Sequence, residues 1–403
     1  MPVGTKKIVV TLLSLLIIIT AYGCYSLLRT VKLVPEENGT HLSVTLAPSK
    51  LAWPNVGQSA VGIIGNPDIT SHGPQSPVPT ASVAKLITTL VVLKTKPLQV
   101  GQPGPTITLS ANDVAIYRNY LAEQGSVVPV VAGEPISEYQ MLEAMLLPSA
   151  NNMADSLAIW AYGSLSAYAQ AANSFLSSQG LSQTHVGVDA SGFDPSTKST
   201  AHDLVVIGEL ALQNPVIAGI VSQPTVTGIP LTTTVKNVNF LIGTSGIIGV
   251  KTGNTSQAGG VYVSGSRATI NHTPITFVTA LAGAPTLPDA LLKSLPLIQS
   301  AQRNFTTESL LKTGTIVGNY PLPWGGSVPV VANADFSATI WNDSPVTTTI
   351  QLKSISNKTK VSNSVGRVSI EQLPVLSKQN VKLELQKPIP QPGIWWRLTH
   401  PMA

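Results

Sequence analysis

The chain opens on its longest apolar run. Lys6 and Lys7 precede residues 8–28, which carry no charge, and Arg29 closes the run. A bilayer core takes about 20 apolar residues of helix, whereas the apolar part of a cleaved leader is usually about 7–15. Residues 1–29 are therefore expected to form a cytoplasmic tip and a membrane-spanning helix, since the run lacks the amphipathic pattern of a core helix. Lys6 and Lys7 put the short tail in the cytoplasm and the rest of the chain outside, although Arg29 and Lys32 blunt that asymmetry. Two processing readings stand beside this one. Ala21-Tyr22-Gly23 offers a small-residue cleavage site, after which the protein would be secreted. Cys24 after Gly23 looks like a lipoprotein box, but Ala21 stands where a leucine is expected.

Residues 30–50, with Pro35, Glu36, Glu37 and Asn38, read as a polar linker. An apolar run at 60–64 predicts a strand, and the Pro/Gly-rich stretch 65–79 argues against a regular helix. Over 81–93, Leu86, Ile87, Leu90, Val91 and Leu93 keep an apolar face at helical spacing. Residues 139–162 predict two helical runs broken at Pro148, and 202–213 a helix that stops before Pro215. Val, Ile and Thr then mark strands at 247–251, 260–266 and 275–282, with turns at Gly259-Gly260 and Asn271-His272. A helix over 287–303 ends this unit. Beyond Thr306 the texture becomes Val/Thr/Ile alternation with Asn, Gly and Pro turns, up to Pro401. The expected organisation is one domain over 51–305 and a β-rich domain over 306–403.

Composition narrows the chemistry. Charged residues make up 11% of the 403, against about 25% in an ordinary soluble protein, and hydrophobic residues 43%. That balance excludes intrinsic disorder. The net charge of +5 comes without a Lys/Arg cluster on the soluble part, so nucleic acid is not an expected partner. Cys24 is the one cysteine, which excludes disulfides, Cys-ligated zinc and thiol catalysis in everything after it. The histidines (His41, His72, His185, His202, His272, His400) are scattered and form no H-E-x-x-H pattern, so neither a metal nor a cofactor is expected.

Three short motifs carry candidate chemistry. Ser82-Val-Ala-Lys85 opens the 81–93 helix, and residues at i and i+3 share a helix face, so Lys85 reaches the Ser82 hydroxyl. A lysine kept neutral by burial or a second cation can take that proton. Ser149-Ala-Asn151 follows Pro148 between two helices, and Lys251-Thr252-Gly253 ends a strand where glycine lets a substrate backbone approach. The same patterns recur as decoys: Ser309 with Lys312, Lys312-Thr313-Gly314, and Ser110 with Asn112. In the 309–314 pair one lysine would have to be both base and substrate anchor.

Taken in order, these segments resemble a known family. Pro77-Val-Pro-Thr-Ala-Ser-Val-Ala-Lys-Leu-Ile-Thr-Thr-Leu-Val-Val-Leu93 looks like the nucleophile region of serine D-alanyl-D-alanine carboxypeptidases, the low-molecular-mass penicillin-binding proteins of peptidase family S11. Residues 146–158 resemble their second motif, with Ala150 where glycine is usual. Residues 199–204 resemble a helix-opening segment, and 249–259 the third motif with its hairpin. The resemblance implies an α/β (α+β) transpeptidase-like domain, β-lactamase-like in fold, with an antiparallel sheet flanked by helices. It implies Ser82 as nucleophile, Lys85 as base and Ser149 as proton relay. It further implies Asn151 holding the substrate peptide group, Lys251 and Thr252 at the terminal carboxylate, Gly253 beside the bound substrate, and Asn254 with Ser82 lending backbone N–H groups to an oxyanion hole. The implied partners are a peptidoglycan stem peptide ending in D-Ala-D-Ala, β-lactams as covalent inhibitors, and the plasma membrane.

Two alternatives are weighed against it. A class A-like β-lactamase needs a glutamate to activate water. Between Asn152 and Phe305 the carboxylates are Asp155, Asp189, Asp194, Asp203, Glu209 and Asp289, none in an E-x-x-x-N pattern. A catalytically silent wall-binding or sensor protein would have no need of the intact Ser82, Lys85, Ser149 and Lys251.

Overall fold

The computed structural model describes residues 3–37, 49–341, 348–370 and 380–401. Most of the linker expected over 30–50 lies outside these, as do 342–347 and 371–379 of the expected β-rich domain. Helix α1 (Val3–Leu28) leaves its apolar side chains, Leu12 and Ile17 among them, exposed. The chain forms two compact units, one spanning Pro48–Phe305 and the other combining α1 and the rest of the chain on both sides of it.

The Pro48–Phe305 unit is built on five antiparallel strands: β1 (Gln58–Ile63), β2 (Thr70–His72), β3 (Ile247–Thr255), β4 (Gly259–Ile270) and β5 (Thr273–Ala284). Their order is β3-β4-β5-β1-β2, which leaves β3 on an edge. Asn271 and His272 join β4 to β5 with φ of 45° and 64°, the left-handed pair a two-residue hairpin demands. Side chains alternate across a strand. Val261 and Val263 accordingly share a core with Leu204 and Val205 of α7 (Ala201–Gln213), while Tyr262 between them packs with Leu291 and Ile298 of α9 (Leu287–Arg303). Helices therefore cover both faces.

Helices α2 (Ala84–Thr95), α3 (Ala111–Ala122), α4 (Glu138–Leu146), α5 (Asn151–Tyr162) and α6 (Leu165–Ser178) lie between β2 and β3 in the chain. Helix α2 is buried nearly all round, and its buried hydroxyls are satisfied: Thr88 donates to Ala190 O at 2.6 Å and Thr89 to Lys85 O at 2.7 Å. A helix apolar on most sides belongs inside. Pattern alone does not predict α3, α6 or α8 (Pro215–Val221). No residue of α3 is fully buried and only Val114 and Tyr117 pack partly on the core, so its apolar stripe is thin, and a Ser110/Asp113 capping box starts it. The expected turn at Gly259-Gly260 falls earlier: both glycines already pair in β4.

The second unit is β-rich. Strands β6 (Phe305–Leu311) and β9 (Phe336–Trp341) pair, and a larger sheet holds β7 (Ile316–Pro321), β8 (Ser327–Ala332), β10 (Thr348–Leu352), β11 (Gly366–Ile370) and β12 (Val381–Leu385). The described part of the linker is not free chain. Glu36 and Glu37 pair with Asn319 and Gly318 at the sheet edge, and Lys32 and Leu33 pair with Ser356 and Ile355. Its apolar members explain this, because Val31 and Leu33 are fully buried in the unit. A short helix α10 (Ile394–Thr399) ends the unit where strand texture was expected.

Candidate active site

Ser82 sits in a single 3-10 turn, Ala81–Val83, that feeds α2. Ala81 is left-handed, with φ of 46°, a conformation that non-glycine residues adopt only when their surroundings enforce it. Two close approaches enforce it. A Cβ at Gly192 would stand 2.1 Å from Ala81 O, and a Cβ at Gly253 would stand 2.7 Å from Thr80 O and 3.1 Å from Ser82 N. The 189–195 loop and edge strand β3 thus press the turn from separate directions, and both do so through glycine.

Three elements bring the motif side chains together. Lys85, one helical turn after Ser82, lies with Nζ 2.6 Å from Ser82 Oγ, 2.7 Å from Asn151 Oδ1 and 3.5 Å from Ser149 Oγ. Ser149 is the kink residue between α4 and α5, with φ of 69°. From β3, Lys251 donates to Ser149 Oγ at 3.0 Å and to Thr252 O at 3.0 Å. Lys85, Ser149, Asn151, Lys251 and Thr252 are buried, Ser82 is half-buried and Asn254 is exposed. Gly253 is the contact with the turn that carries Ser82. All eight residues singled out from sequence therefore fall in one region of one unit.

Burial sets the proton chemistry. It pushes the Lys85 ammonium well below the ordinary lysine value, the charge of Lys251 pushes further, and Asp189 and Asp155 pull the other way. Burial alone lowers Lys251 to about 7. A neutral Lys85 amine has a lone pair 2.6 Å from the Ser82 hydroxyl, which is the geometry of a general base.

Sequence reasoning passed over the two carboxylates that shape the surroundings of Lys85. Asp155 accepts from Tyr120 Oη at 2.7 Å and from Ala190 N at 2.9 Å, and burial raises it to about 6. Asp189 gathers the backbone N–H groups of Ser191, Gly192, Phe193 and Asp194, which builds the loop that presses on Ala81. Asp155 follows Asn151 by four residues, one helical turn on the same face, and that spacing was its only sequence signal. A cavity of about 750 Å³ lies beside the site, with Tyr120, Asp155, Asp189, Phe193 and Asn254 on its wall. Among the described residues no His, Cys, Asp and Glu side chains group closely enough to hold a metal ion.

The decoys lie elsewhere. Ser110 is the N-cap of α3. Ser309 is in β6 of the other unit, and the Thr313 hydroxyl and N–H both go to Asp335, in a turn.

Comparison with known proteins agrees with this geometry. In sequence, a D-alanyl-D-alanine endopeptidase of Pseudomonas aeruginosa is 31% identical over 215 residues, 52% of this chain and 65% of that protein. The D-alanyl-D-alanine carboxypeptidase DacA of Escherichia coli is 25% identical over 252 residues, 61% of this chain and 60% of its own length. The chain thus spans a little under two thirds of the length of these curated relatives. In fold, penicillin-binding protein 5 of Haemophilus influenzae superposes with a TM-score of 0.58 at 20% identity, over 86% of this chain and all of that one. A Streptomyces K15 DD-transpeptidase superposes with a TM-score of 0.53 at 22% identity, over 64% of this chain and 98% of its own. The sequence profile of the S11 peptidases matches residues 67–283, more than half of the chain and the stretch that holds Ser82, Lys85, Ser149 and Lys251. The chain belongs to peptidase family S11, the D-alanyl-D-alanine carboxypeptidases.

Proposed function

We propose that the chain is a serine D-alanyl-D-alanine carboxypeptidase that removes the terminal D-alanine from peptidoglycan stem pentapeptides and is acylated by β-lactams. The observation that carries this is the buried relay from Ser82 through Lys85 and Ser149 to Lys251, with links of 2.6, 3.5 and 3.0 Å. In the proposed reaction the neutral Lys85 amine takes the Ser82 proton as Oγ attacks the carbonyl carbon of the penultimate D-alanine. The oxyanion forms against the backbone N–H groups of Ser82 and Asn254, donors of a kind whose removal costs about 10²–10³ in rate. The proton then passes from Lys85 through Ser149 to the departing nitrogen of the terminal D-alanine, and the peptide bond breaks. Asn151 holds the substrate peptide group, and Lys251 and Thr252 meet the terminal carboxylate. Water later attacks the Ser82 ester, returning its proton along the same path.

The two carboxylates whose charges reach Lys85 support hydrolysis of this kind over a β-lactamase. Asp155 is occupied by Tyr120 and Ala190, and Asp189 by four backbone N–H groups, so neither is free to activate a deacylating water. A long-lived penicilloyl adduct is the expected consequence. Helix α1 is read as a single-pass plasma-membrane anchor that leaves the catalytic unit outside the cell, where the wall substrate lies.

The test is labelling with a fluorescent penicillin followed by turnover of a peptide ending in D-Ala-D-Ala. The wild type should label slowly reversibly at Ser82 and release free D-alanine. Labelling of Ser82→Ala equal to wild type would refute the serine mechanism. Labelling without D-alanine release, or cleavage confined to cross-linked peptides, would refute the carboxypeptidase assignment.

A further inference from the structure

We propose that the cavity beside Asn254 is the subsite for the side chain that precedes the two D-alanines, that it takes a side chain ending in a free ammonium, and that Glu123 is the counter-ion. The inference rests on the carboxypeptidase reading and narrows the substrate within it. It starts from the edge strand. β3 pairs with β4 on one side only and meets the turn that carries Ser82 through Gly253. An extended peptide can lie along such an edge. With its terminal carboxylate at Lys251 and Thr252 and its scissile carbonyl at Asn254, the next residue toward its N-terminus stands about 3.3 Å further on, past Asn254. Asn254, Thr255, Ser256 and Gln257 line the cavity of about 750 Å³, so it receives that residue's side chain.

The opposite rim of the cavity is built onto the catalytic helix. After α3 ends, Gln124 is left-handed with φ of 57°, and Gly125 N donates to Tyr120 O at 2.8 Å. Asn151 N, at the start of α5, donates to Ser126 O at 2.7 Å, and a Cβ at Gly125 would stand 2.8 Å from Asn151 Nδ2. The turn that presents Glu123 and Gln124 is therefore fixed against a residue of the site. Between rim and strand, Phe193 meets Tyr120 edge to face at 5.5 Å, and with Ile116 and Leu165 it gives the wall an apolar stretch. A long aliphatic stem suits that stretch.

The charges on the wall set the sign of what ends the stem. Its ionisable acids are Glu123, Asp155, Asp189 and Asp194, and no lysine, arginine or histidine lines it. Three of the four are engaged within the protein: Asp155 by Tyr120 and Ala190, Asp189 by its own loop, and Asp194 by Ser196 N at 2.8 Å. Glu123 is exposed, and among the described residues its carboxylate meets no donor. A primary ammonium at the end of the stem supplies one. Acylating that amine removes its charge, so stem peptides already joined through it are poorer substrates than free ones, and the enzyme acts ahead of the reaction that joins them.

The experiment measures D-alanine release by the full chain from three peptides ending in Xaa-D-Ala-D-Ala, with L-lysine, Nε-acetyl-L-lysine or L-glutamate as Xaa. Exposed ion pairs contribute modestly, so kcat/KM for the lysine peptide should exceed that for the acetylated one by about 3- to 10-fold, and the ratio should shrink as salt is added. In Glu123→Gln the ratio should fall to near one, and Glu123→Lys should favour the glutamate peptide over the lysine peptide. A ratio near one in the wild type, or one unchanged in Glu123→Gln, would overturn the subsite and leave the carboxypeptidase reading standing. Failure to release D-alanine from any of the three peptides, by protein that labels with penicillin, would overturn that reading and the subsite with it.

Discussion

Replacing Gly253 by alanine tests whether the nucleophile turn is held by the edge strand. The added methyl would stand 2.7 Å from Thr80 O, 3.1 Å from Ala81 Cβ and 3.1 Å from Ser82 N. Comfortable contacts between carbon atoms lie at about 3.5–4.0 Å, so β3 must withdraw from the turn by roughly half an ångström or more. The neighbours are backbone atoms and a Cβ, which cannot swing aside as a long side chain would. Overpacking of this kind costs about 1–3 kcal/mol, a fall of several degrees in melting temperature. The larger effect is on chemistry, because the backbone N–H groups of Ser82 and Asn254 flank the displaced residue. Misplacing reacting groups by about 1 Å costs roughly 10²-fold, and a loss of 10- to 100-fold in the second-order rate of penicillin acylation is expected. Stopped-flow acylation on folded protein, checked by circular dichroism, measures it. Gly219→Ala is the control: it lies inside α8, its Cβ would meet no atom within 4 Å, and the helix should gain up to about 1 kcal/mol with acylation intact. Acylation of Gly253→Ala within threefold of wild type, at unchanged melting temperature, would show that β3 does not brace the turn.

The remaining expectations concern charge. The acylation rate should fall toward acid with an inflection well below lysine's usual range, because the Lys85 amine must be neutral to accept a proton; Lys251→Ala, by removing a neighbouring cation, should move that inflection to higher pH. Burial lowers Lys251 to about 7 in the folded state, so between about pH 7 and 10 the unfolded chain binds more protons and stability should rise with pH, as thermal melts across that range can show. Glu209 behaves oppositely: burial raises it to about 7, and its Oε1 has no hydrogen-bond partner, so its contribution falls as pH rises from about 4.5 to 7. Glu209→Gln should therefore melt a few degrees higher than wild type at pH 8 and show no such gain at pH 4. Ser309→Ala and Lys312→Ala should label with penicillin at the wild-type rate, since both lie in the other unit.

How much of this was legible in the sequence follows from what each element depends on. The 287–303 helix is found at its true limits because its own residues define them: Thr286 caps it, Asp289 completes the cap and apolar positions recur on one face. The β3, β4 and β5 strands are legible for a similar reason, although each extends beyond the Val/Ile/Thr run because the sheet continues to pair through Gly and Thr. Helix α3 is not legible, as none of its residues is fully buried. The linker misleads because two buried side chains, Val31 and Leu33, are hidden among Pro, Glu and Asn. The C-terminal helix is missed because six residues cannot display a helical period, and its contacts are made with α1 at the opposite end of the chain.

The site divides along the same line. Ser82 and Lys85 are legible because the roles proposed for them follow from residue type and a spacing that one helix turn enforces, and the order of the three motifs separates them from their decoys. The carboxylates are not, because Asp155 meets a phenol and a backbone N–H across 35 residues and Asp189 acts on the backbone N–H groups of its own loop, which carry no motif. Their placement nevertheless gives the scarcity of charge a physical meaning. An acid in contact with Lys85 would hold a proton on the amine and remove the base. The two carboxylates that Lys85 senses instead spend their hydrogen bonds elsewhere, Asp155 on Tyr120 and Ala190, Asp189 on its own loop. No carboxylate occurs from Leu210 to Pro288, the stretch that contains β3. Burial drives both lysines below their ordinary range, and with no acid there to neutralise Lys251 its charge pushes Lys85 lower still, so the proposed base is kept neutral by burial first and by the withholding of acids second.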